Sequence, residues 1–382
     1  MPTVIPYGRQ DISENDIKTV VETLKSDYLT QGPRVGEFEK ALCDITKANH
    51  AIAVNSATSA LHIACLALGV GRGDYVWTSP ITFVASANCA KFCGAEVDFV
   101  DIDPQTFNMC PTALEQKLEL AKKEGRLPKV IIPVHMAGQS PDMSAISALA
   151  KRYGASILED ASHAIGASYR ESRVGSCEFS DITVFSFHPV KIVTTGEGGA
   201  AVCRDSNLAN KMRLLSSHGV TRDPEQMDHS PDGAWYYQQI ELGFNYRLTE
   251  IQAALGISQL SRLDDYIERR RAIAAQYDDA FAACSFETPA EREDCKSSFH
   301  LYILQLSNRD RAFQRLRNAG ILVNVHYIPV HTQPYYRKLG FREGDFPVAE
   351  AYYKAALSIP LFPTMTENQI EEVIATVKEA AE

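Results

Sequence analysis

Phe185-Ser186-Phe187-His188-Pro189-Val190-Lys191, followed by Thr194-Thr195-Gly196-Glu197-Gly198-Gly199, decides how the rest of the chain is read. Asp181 to Phe187 is a β-rich apolar run that ends in a proline turn, and a second run, Ala200 to Val202, starts after the glycines. The spacing predicts two strands with Lys191 delivered into the turn between them. A lysine ordinarily lives on a solvated helix face. At a strand end, among a histidine, a proline and two glycines, it is placed for chemistry. An amine kept partly unprotonated by its surroundings condenses with a carbonyl to a Schiff base. Taken alone, the pattern fits a surface-loop lysine better, so the decision rests on the segments upstream.

Ala155-Ser156-Ile157-Leu158-Glu159-Asp160 reads as a short buried strand with Ala161-Ser162-His163-Ala164 as the turn after it. Asp160 therefore falls at the carboxyl end of a strand, where open α/β sheets bind ligands. A carboxylate there can hold the protonated nitrogen of a pyridine ring, as pyridoxal 5′-phosphate (PLP) requires, or it can cap a helix. Further upstream, strand Ala51–Val54 runs into Asn55-Ser56-Ala57-Thr58-Ser59, which opens an apolar helix from Ala60 to Leu68. Such an N-terminus offers free N–H groups and a positive dipole end to a phosphate; an ordinary Ser/Thr cap accounts for it equally well. Ser186 can add a hydroxyl from the lysine strand. Phe83, just after the run Tyr75–Thr78, can stack on a flat ring or be plain core. These positions together describe one ligand with a phosphate, a ring nitrogen and an aldehyde.

Composition bounds the rest. The 382 residues are 45% hydrophobic and 23% charged, enough for two domains of ordinary globular makeup. A formal net charge of −10 argues against nucleic-acid or anionic-membrane binding. Nine scattered cysteines with no CxxC pair fit reduced thiols in a cytoplasmic protein. The sequence shows no basic-then-apolar leader and no run of eighteen apolar residues, so a membrane span is not expected.

From about residue 37 to 205 helical and strand-like runs alternate. Helices are expected at Glu37–Thr46, Pro111–Glu124 and Asp142–Tyr153, and further strands at Glu96–Val100 and Val130–Val134. The pattern is that of an α/β protein with a covered, mostly parallel sheet. Leu215–Gln239 is polar and turn-rich and reads as a long irregular loop. A helix over Glu250–Arg271 leads into a smaller α+β portion, with strands His300–Leu306 and Leu322–Val325 and helices Arg309–Ala319 and Glu367–Ala381. The expected division is a large domain over 1–255 and a small one over 256–382. Gly69-Val70-Gly71-Arg72-Gly73 follows a helix and precedes a strand, the reverse of a dinucleotide fingerprint.

Asn55-Ser56-Ala57-Thr58-Ser59-Ala60-Leu61, Glu159-Asp160-Ala161-Ser162-His163-Ala164, Phe185-Ser186-Phe187-His188 with Lys191, Glu197-Gly198-Gly199 and Leu242-Gly243-Phe244-Asn245-Tyr246-Arg247 together resemble the sugar aminotransferases of PLP fold type I, the DegT/DnrJ/EryC1/StrS group. The likeness runs almost end to end. It implies the aspartate-aminotransferase fold, with Lys191 as the Schiff-base lysine, Asp160 as partner of the pyridine nitrogen and His163 beside the ring. It also implies that Ala57, Thr58 and Ser186 hold the phosphate, and that Asn245 reaches the phosphate of a second subunit, making the active sites of a homodimer shared. Tyr7, Asp27, Tyr28, Leu29 and Thr30, with Asn324, Val325, His326 and Tyr327, look like substrate contacts; His331 is a further candidate or an ordinary loop residue. Many members carry glutamine where this chain has His163, and related dehydratases carry histidine where it has Lys191.

Gln31-Gly32-Pro33, Ser79–Ala85 and Val323–His331 bring the likeness closest to members that aminate C4 of a UDP-linked 4-keto-6-deoxy-N-acetylhexosamine in pseudaminic acid biosynthesis, with L-glutamate as donor. Members acting on a UDP-4-keto-pentose or a dTDP-linked keto-deoxyhexose are the alternatives. From other classes, a nicotinamide oxidoreductase lacks its strand-then-GxGxxG here, and a PLP-binding protein without turnover remains open.

Overall fold

The computed structural model describes residues 4–381. Seven strands make one sheet: β1 (His50–Val54), β2 (Tyr75–Thr78), β3 (Glu96–Phe99), β4 (Val130–Ile132), β5 (Ser156–Asp160), β6 (Ile182–Ser186) and β7 (Gly199–Cys203). Their order is β1-β7-β6-β5-β4-β2-β3. Only β7 is antiparallel to its neighbours, so the sheet is mostly parallel, as expected. Successive side chains alternate across it. Trp77, Ile131 and Ile157 face helices α5 (Pro111–Glu124) and α6 (Met143–Tyr153). Val76, Val130, Ile132 and Leu158 face the opposite core, built with α3 (Ala57–Ala67), α4 (Ala85–Phe92) and α7 (Ser206–Ser216). Both faces are covered, which explains why the central strands are largely apolar and continuous rather than alternating apolar and polar.

Three strand ends meet at β7. Gly199 pairs with Val54 of β1 on one side and with Ser186 of β6 on the other. A Cβ at Gly199 would lie 2.3 Å from the Ala57 nitrogen and 2.5 Å from the Ser56 carbonyl carbon, so only glycine lets the first turn of α3 sit there. The N-terminus of α3 and the lysine turn are thereby held side by side.

The C-terminal portion pairs β8 (Tyr302–Gln305) with β9 (Ala356–Ile359) in antiparallel register. Tyr302 and Leu304 face a core with Tyr277, Phe281, Val373 and Val377, and Ile5 joins it from the N-terminus. Leu301 and Ile303 face the sheet core instead. One strand therefore fastens the two regions together.

Several expectations need correction. The helix expected over Glu250–Arg271 is two, α8 (Glu250–Leu260) and α9 (Leu263–Phe281). The chain bends at Ser261–Arg262, where the Arg262 guanidinium bonds Asp11 at 2.7 Å and Asp16 at 2.5 Å. Leu322–Val325 is not a regular strand: Leu322 bonds the Ile5 carbonyl and Asn324 bonds Ser358, so the run is divided between two partners. The partner of β8 is β9, unforeseen because it directly continues a helix, Pro347–Ala355. The stretch Leu215–Gln239 starts inside α7 and closes on a short hairpin, Val220–Thr221 with Gln238–Gln239. The helix expected from Glu37 begins at Pro33.

That early start depends on a distant carboxylate. α2 (Pro33–Thr46) has Gly32 at its N-cap and no side-chain cap of its own. Glu250, 1% exposed, accepts from the Arg34 N–H at 2.7 Å and the Val35 N–H at 3.3 Å, while its own N–H donates to the Leu29 carbonyl. Glu250 thus fixes residues 29–35 against α8. Replacing Glu250 with alanine leaves two N–H groups without acceptors and is expected to cost about 1–3 kcal/mol. Glu250→Gln, which keeps one acceptor oxygen, should lose less. Thermal unfolding of both variants checks this, and an unchanged Tm for Glu250→Ala would contradict it.

Candidate active site

A cavity of about 520 Å³ opens where β1, β5 and β6 end. Its walls come from the first turn of α3, the segment before α4, the turns after β5 and β6, Tyr7 and residues 324–327. Lys191 is reached through a tight turn in which its N–H donates to the His188 carbonyl at 2.9 Å. Burial of its amine lowers the pKa to about 8, and the nearby Asp160 carboxylate pulls it partly back up.

Asp160 ends β5 and is 5% exposed. One carboxylate oxygen accepts from the Ser86 hydroxyl at 2.6 Å; the other accepts from the Ser162 hydroxyl at 2.6 Å and the Ser162 N–H at 3.1 Å. No helix starts here, so the capping alternative reduces to a local turn made by one oxygen. A carboxylate has about four acceptor positions, which leaves room for an N–H from a ligand.

At the α3 terminus, Ser56 accepts from the Ser59 N–H at 3.1 Å and so is an ordinary cap. Capping and anion binding are compatible, because the N–H groups of Ala57 and Thr58 precede any intrahelical partner and line the cavity. Ser186 lines it too. Phe83 is not core: it is 61% exposed, at the cavity mouth, with its ring 6.3 Å from that of Tyr327.

His163 is buried under the cavity. Its Nε2 lies 2.9 Å from the Tyr327 hydroxyl. Burial, then the charges of Lys191 and His326, hold it well below the ordinary imidazole range, so it is neutral. His326 bonds Ser358 at 2.8 Å and is pushed down to about 3 by burial and then by Lys191. Tyr7 packs its ring 5.4 Å from His326, and its hydroxyl is raised by burial against a lowering bond with Asn324. Asn324, Val325, His326 and Tyr327 all line the cavity.

Other expected residues lie elsewhere. Asp27, Tyr28, Leu29 and Thr30 are exposed and outside the cavity of their own chain. Asn245 is also exposed; it bridges Ser217 through its backbone, and its carbonyl accepts from Asn55 at 3.4 Å. His331 is buried against Glu350 at 2.9 Å, beside Phe99 and Phe346 and away from the cavity. Sequence reasoning missed Ser86, whose only local signal is a hydroxyl one turn past Phe83. It also missed His300, a polar residue inside an apolar strand pattern, which lines the cavity.

The donor set fits PLP: a helix N-terminus whose first turn is seated against Gly199 and offers free N–H groups to an anion, a buried carboxylate with spare acceptor capacity, an amine of lowered pKa and an exposed aromatic ring. Fold and site together define a PLP-dependent aminotransferase. The chain belongs to the DegT/DnrJ/EryC1/StrS aminotransferase family, whose model matches residues 10–378. It is a sugar aminotransferase with PLP as cofactor. The chain is 41% identical to the Bacillus subtilis spore coat polysaccharide biosynthesis protein SpsC, over 98% of this chain and 96% of that one. It is also 41% identical to a Campylobacter jejuni UDP-4-amino-4,6-dideoxy-N-acetyl-beta-L-altrosamine transaminase, over 95% and 93%. The structure of Helicobacter pylori PseC, an aminotransferase involved in the biosynthesis of pseudoaminic acid, superposes with a TM-score of 0.91 at 33% identity, covering 99% of each chain. Among the described residues no helix is long and apolar enough to cross a membrane, and no group of three or more metal-ligating side chains occurs.

The Lys191 amine should show its lowered pKa directly. In cofactor-free protein, its labelling by an amine-reactive reagent, followed by peptide mapping, is expected to rise with a midpoint near pH 8. The Asp160 carboxylate favours the charged amine, so Asp160→Asn should move the midpoint lower. A midpoint at the ordinary lysine value would contradict the burial argument.

Proposed function

We propose that this enzyme transfers the amino group of L-glutamate to C4 of a UDP-linked 4-keto-6-deoxy-N-acetylhexosamine, giving 2-oxoglutarate and the 4-amino sugar, as a step toward pseudaminic acid. Lys191, an amine of lowered pKa facing a buried carboxylate across the cavity, is the observation that carries the chemistry. The names of the Campylobacter and Helicobacter relatives support the substrate. The equally similar SpsC, named for spore coat polysaccharide, keeps a second reading open: amination of another nucleotide-linked keto sugar, such as a UDP-4-keto-pentose or a dTDP-keto-deoxyhexose.

When bound, PLP supplies an aldehyde that carries the amine between substrates and an electron sink for the carbon that loses its proton. The protein does the rest. Asp160 would accept the N–H of the ring and so keep that nitrogen protonated. Ala57, Thr58 and Ser186 would hold the phosphate, and Phe83 would stack on the ring. Once L-glutamate occupies the site, the free Lys191 amine removes the proton at its α-carbon and later delivers a proton to C4 of the sugar. Tyr7, Asn324, Val325, His326 and Tyr327 orient the sugar nucleotide.

We further propose a cytoplasmic homodimer of chains divided into domains 1–255 and 256–382. The exposure of Asn245 and of Asp27–Thr30 supports shared sites: these residues have their surfaces free for a second copy.

Amine transfer from L-glutamate to a panel of UDP- and dTDP-linked keto sugars, with product stereochemistry determined, tests the substrate; preference for a sugar other than the 4-keto-6-deoxy-N-acetylhexosamine overturns it. Lys191→Ala should lose at least ~10³-fold in turnover, because one amine serves as both nucleophile and proton carrier. For Asn245→Ala, weaker cofactor retention is expected although the residue lies outside its own cavity. A monomer with full activity would sink the shared-site proposal.

A further inference from the structure

His300 takes no part in the chemistry above, yet it lies against the residue that the cofactor ring would meet. Its ring centroid is 4.4 Å from that of His163 at an interplanar angle of 50°. The two imidazoles are 4% and 5% exposed, and each has a buried Nδ1 without a protein partner. His300 reaches the cavity wall itself.

The backbone around His300 is anchored on two sides. Toward the sheet, the Ser298 N–H donates to the Gly138 carbonyl at 3.1 Å, and the Ser298 hydroxyl donates to the His163 carbonyl at 3.0 Å. Gly138 has φ +104°, and a Cβ on it would meet the Ser298 hydroxyl at 2.6 Å, so the approach is close. Toward the C-terminal core, the buried Arg270 donates to the carbonyls of Phe299 and His300 at 3.3 Å and of Leu361 at 2.8 Å. The His300 carbonyl is thus held by Arg270 of α9, which is itself tied to the chain after β9, and the His300 ring presses on a residue that follows β5.

The electrostatics agree with this geometry. Burial, then His163, Lys191, Arg270 and His326, keep His300 well below the ordinary imidazole range. A protonated ring would add a charge beside a desolvated lysine and a buried arginine. The pair therefore packs as two neutral rings.

We propose that His300 is a positioning residue for the cofactor: its ring backs His163 and holds that imidazole against the cofactor, in the orientation set by the Tyr327 hydrogen bond. The C-terminal region thereby sets how tightly the cofactor sits. This rests on His163 as a contact of the cofactor ring, which His163→Ala tests separately.

The test is a double-mutant cycle read as the cofactor dissociation constant, measured by absorbance and fluorescence titration of PLP into apo protein. His163→Ala alone should weaken PLP binding; if it does not, the contact itself is wrong, whatever His300 does. Given that contact, His300→Ala in the wild-type background should weaken binding at least ~5-fold and shift the visible absorption of the bound cofactor. In the His163→Ala background the same change should alter the constant less than ~2-fold. His300→Phe, which keeps a flat ring, should retain most of the affinity and remains informative if the alanine variant fails to fold. Equal effects of His300→Ala in both backgrounds, no effect in the wild type, or a His300→Phe variant as weak as His163→Ala would each overturn the proposal.

Discussion

An amine removed from water but left facing a single carboxylate governs this site. Lowering the lysine pKa from 10.5 to about 8 means the fold disfavours the ammonium form of Lys191. In the cofactor-free protein this costs about 3 kcal/mol below pH 8, a penalty relieved as pH rises toward the unfolded value. Condensation with an aldehyde consumes a neutral amine, so the same penalty favours loading. Asp160 could cancel the effect if its charge were unopposed; the three hydrogen bonds it accepts from Ser86 and Ser162 help hold it in place without removing it.

The remaining parts arrange donors around that pair. Gly199 is where three requirements coincide: a sheet partner for Val54, a sheet partner for Ser186, and clearance for the first turn of α3. A single side chain there would separate the anion cradle from the lysine turn. The buried His163 and His326, with the half-buried Tyr327, then form a neutral layer fastened to β9 through Ser358. Catalytic geometry thus depends on contacts that span the length of the chain.

What could be read from sequence is what is local. Strand ends, the capped apolar helix and the lysine turn follow from runs of five to ten residues, and they placed Lys191, Asp160, Ser186 and the Ala57–Thr58 turn in one cavity. Residues 324–327, expected from family likeness to contact substrate, line the same cavity. What stayed hidden depends on long-range contacts. The bend at Ser261–Arg262 comes from Asp11 and Asp16, some 250 residues away in the chain; the early start of α2 comes from Glu250; and the position of His300 comes from Arg270 and Gly138. No periodicity encodes those partners. Family likeness also named Asp27–Thr30 and Asn245, which one chain leaves outside its own cavity.

Borohydride reduction of the holoenzyme, followed by peptide mapping by mass spectrometry, tests the central claim most directly, because it fixes the cofactor to whichever amine holds it. The account predicts a single cofactor-bearing peptide with the added mass on Lys191, lost when L-glutamate is supplied before reduction. A cofactor adduct on any other lysine, or retention of the adduct in the presence of amino donor, would contradict it.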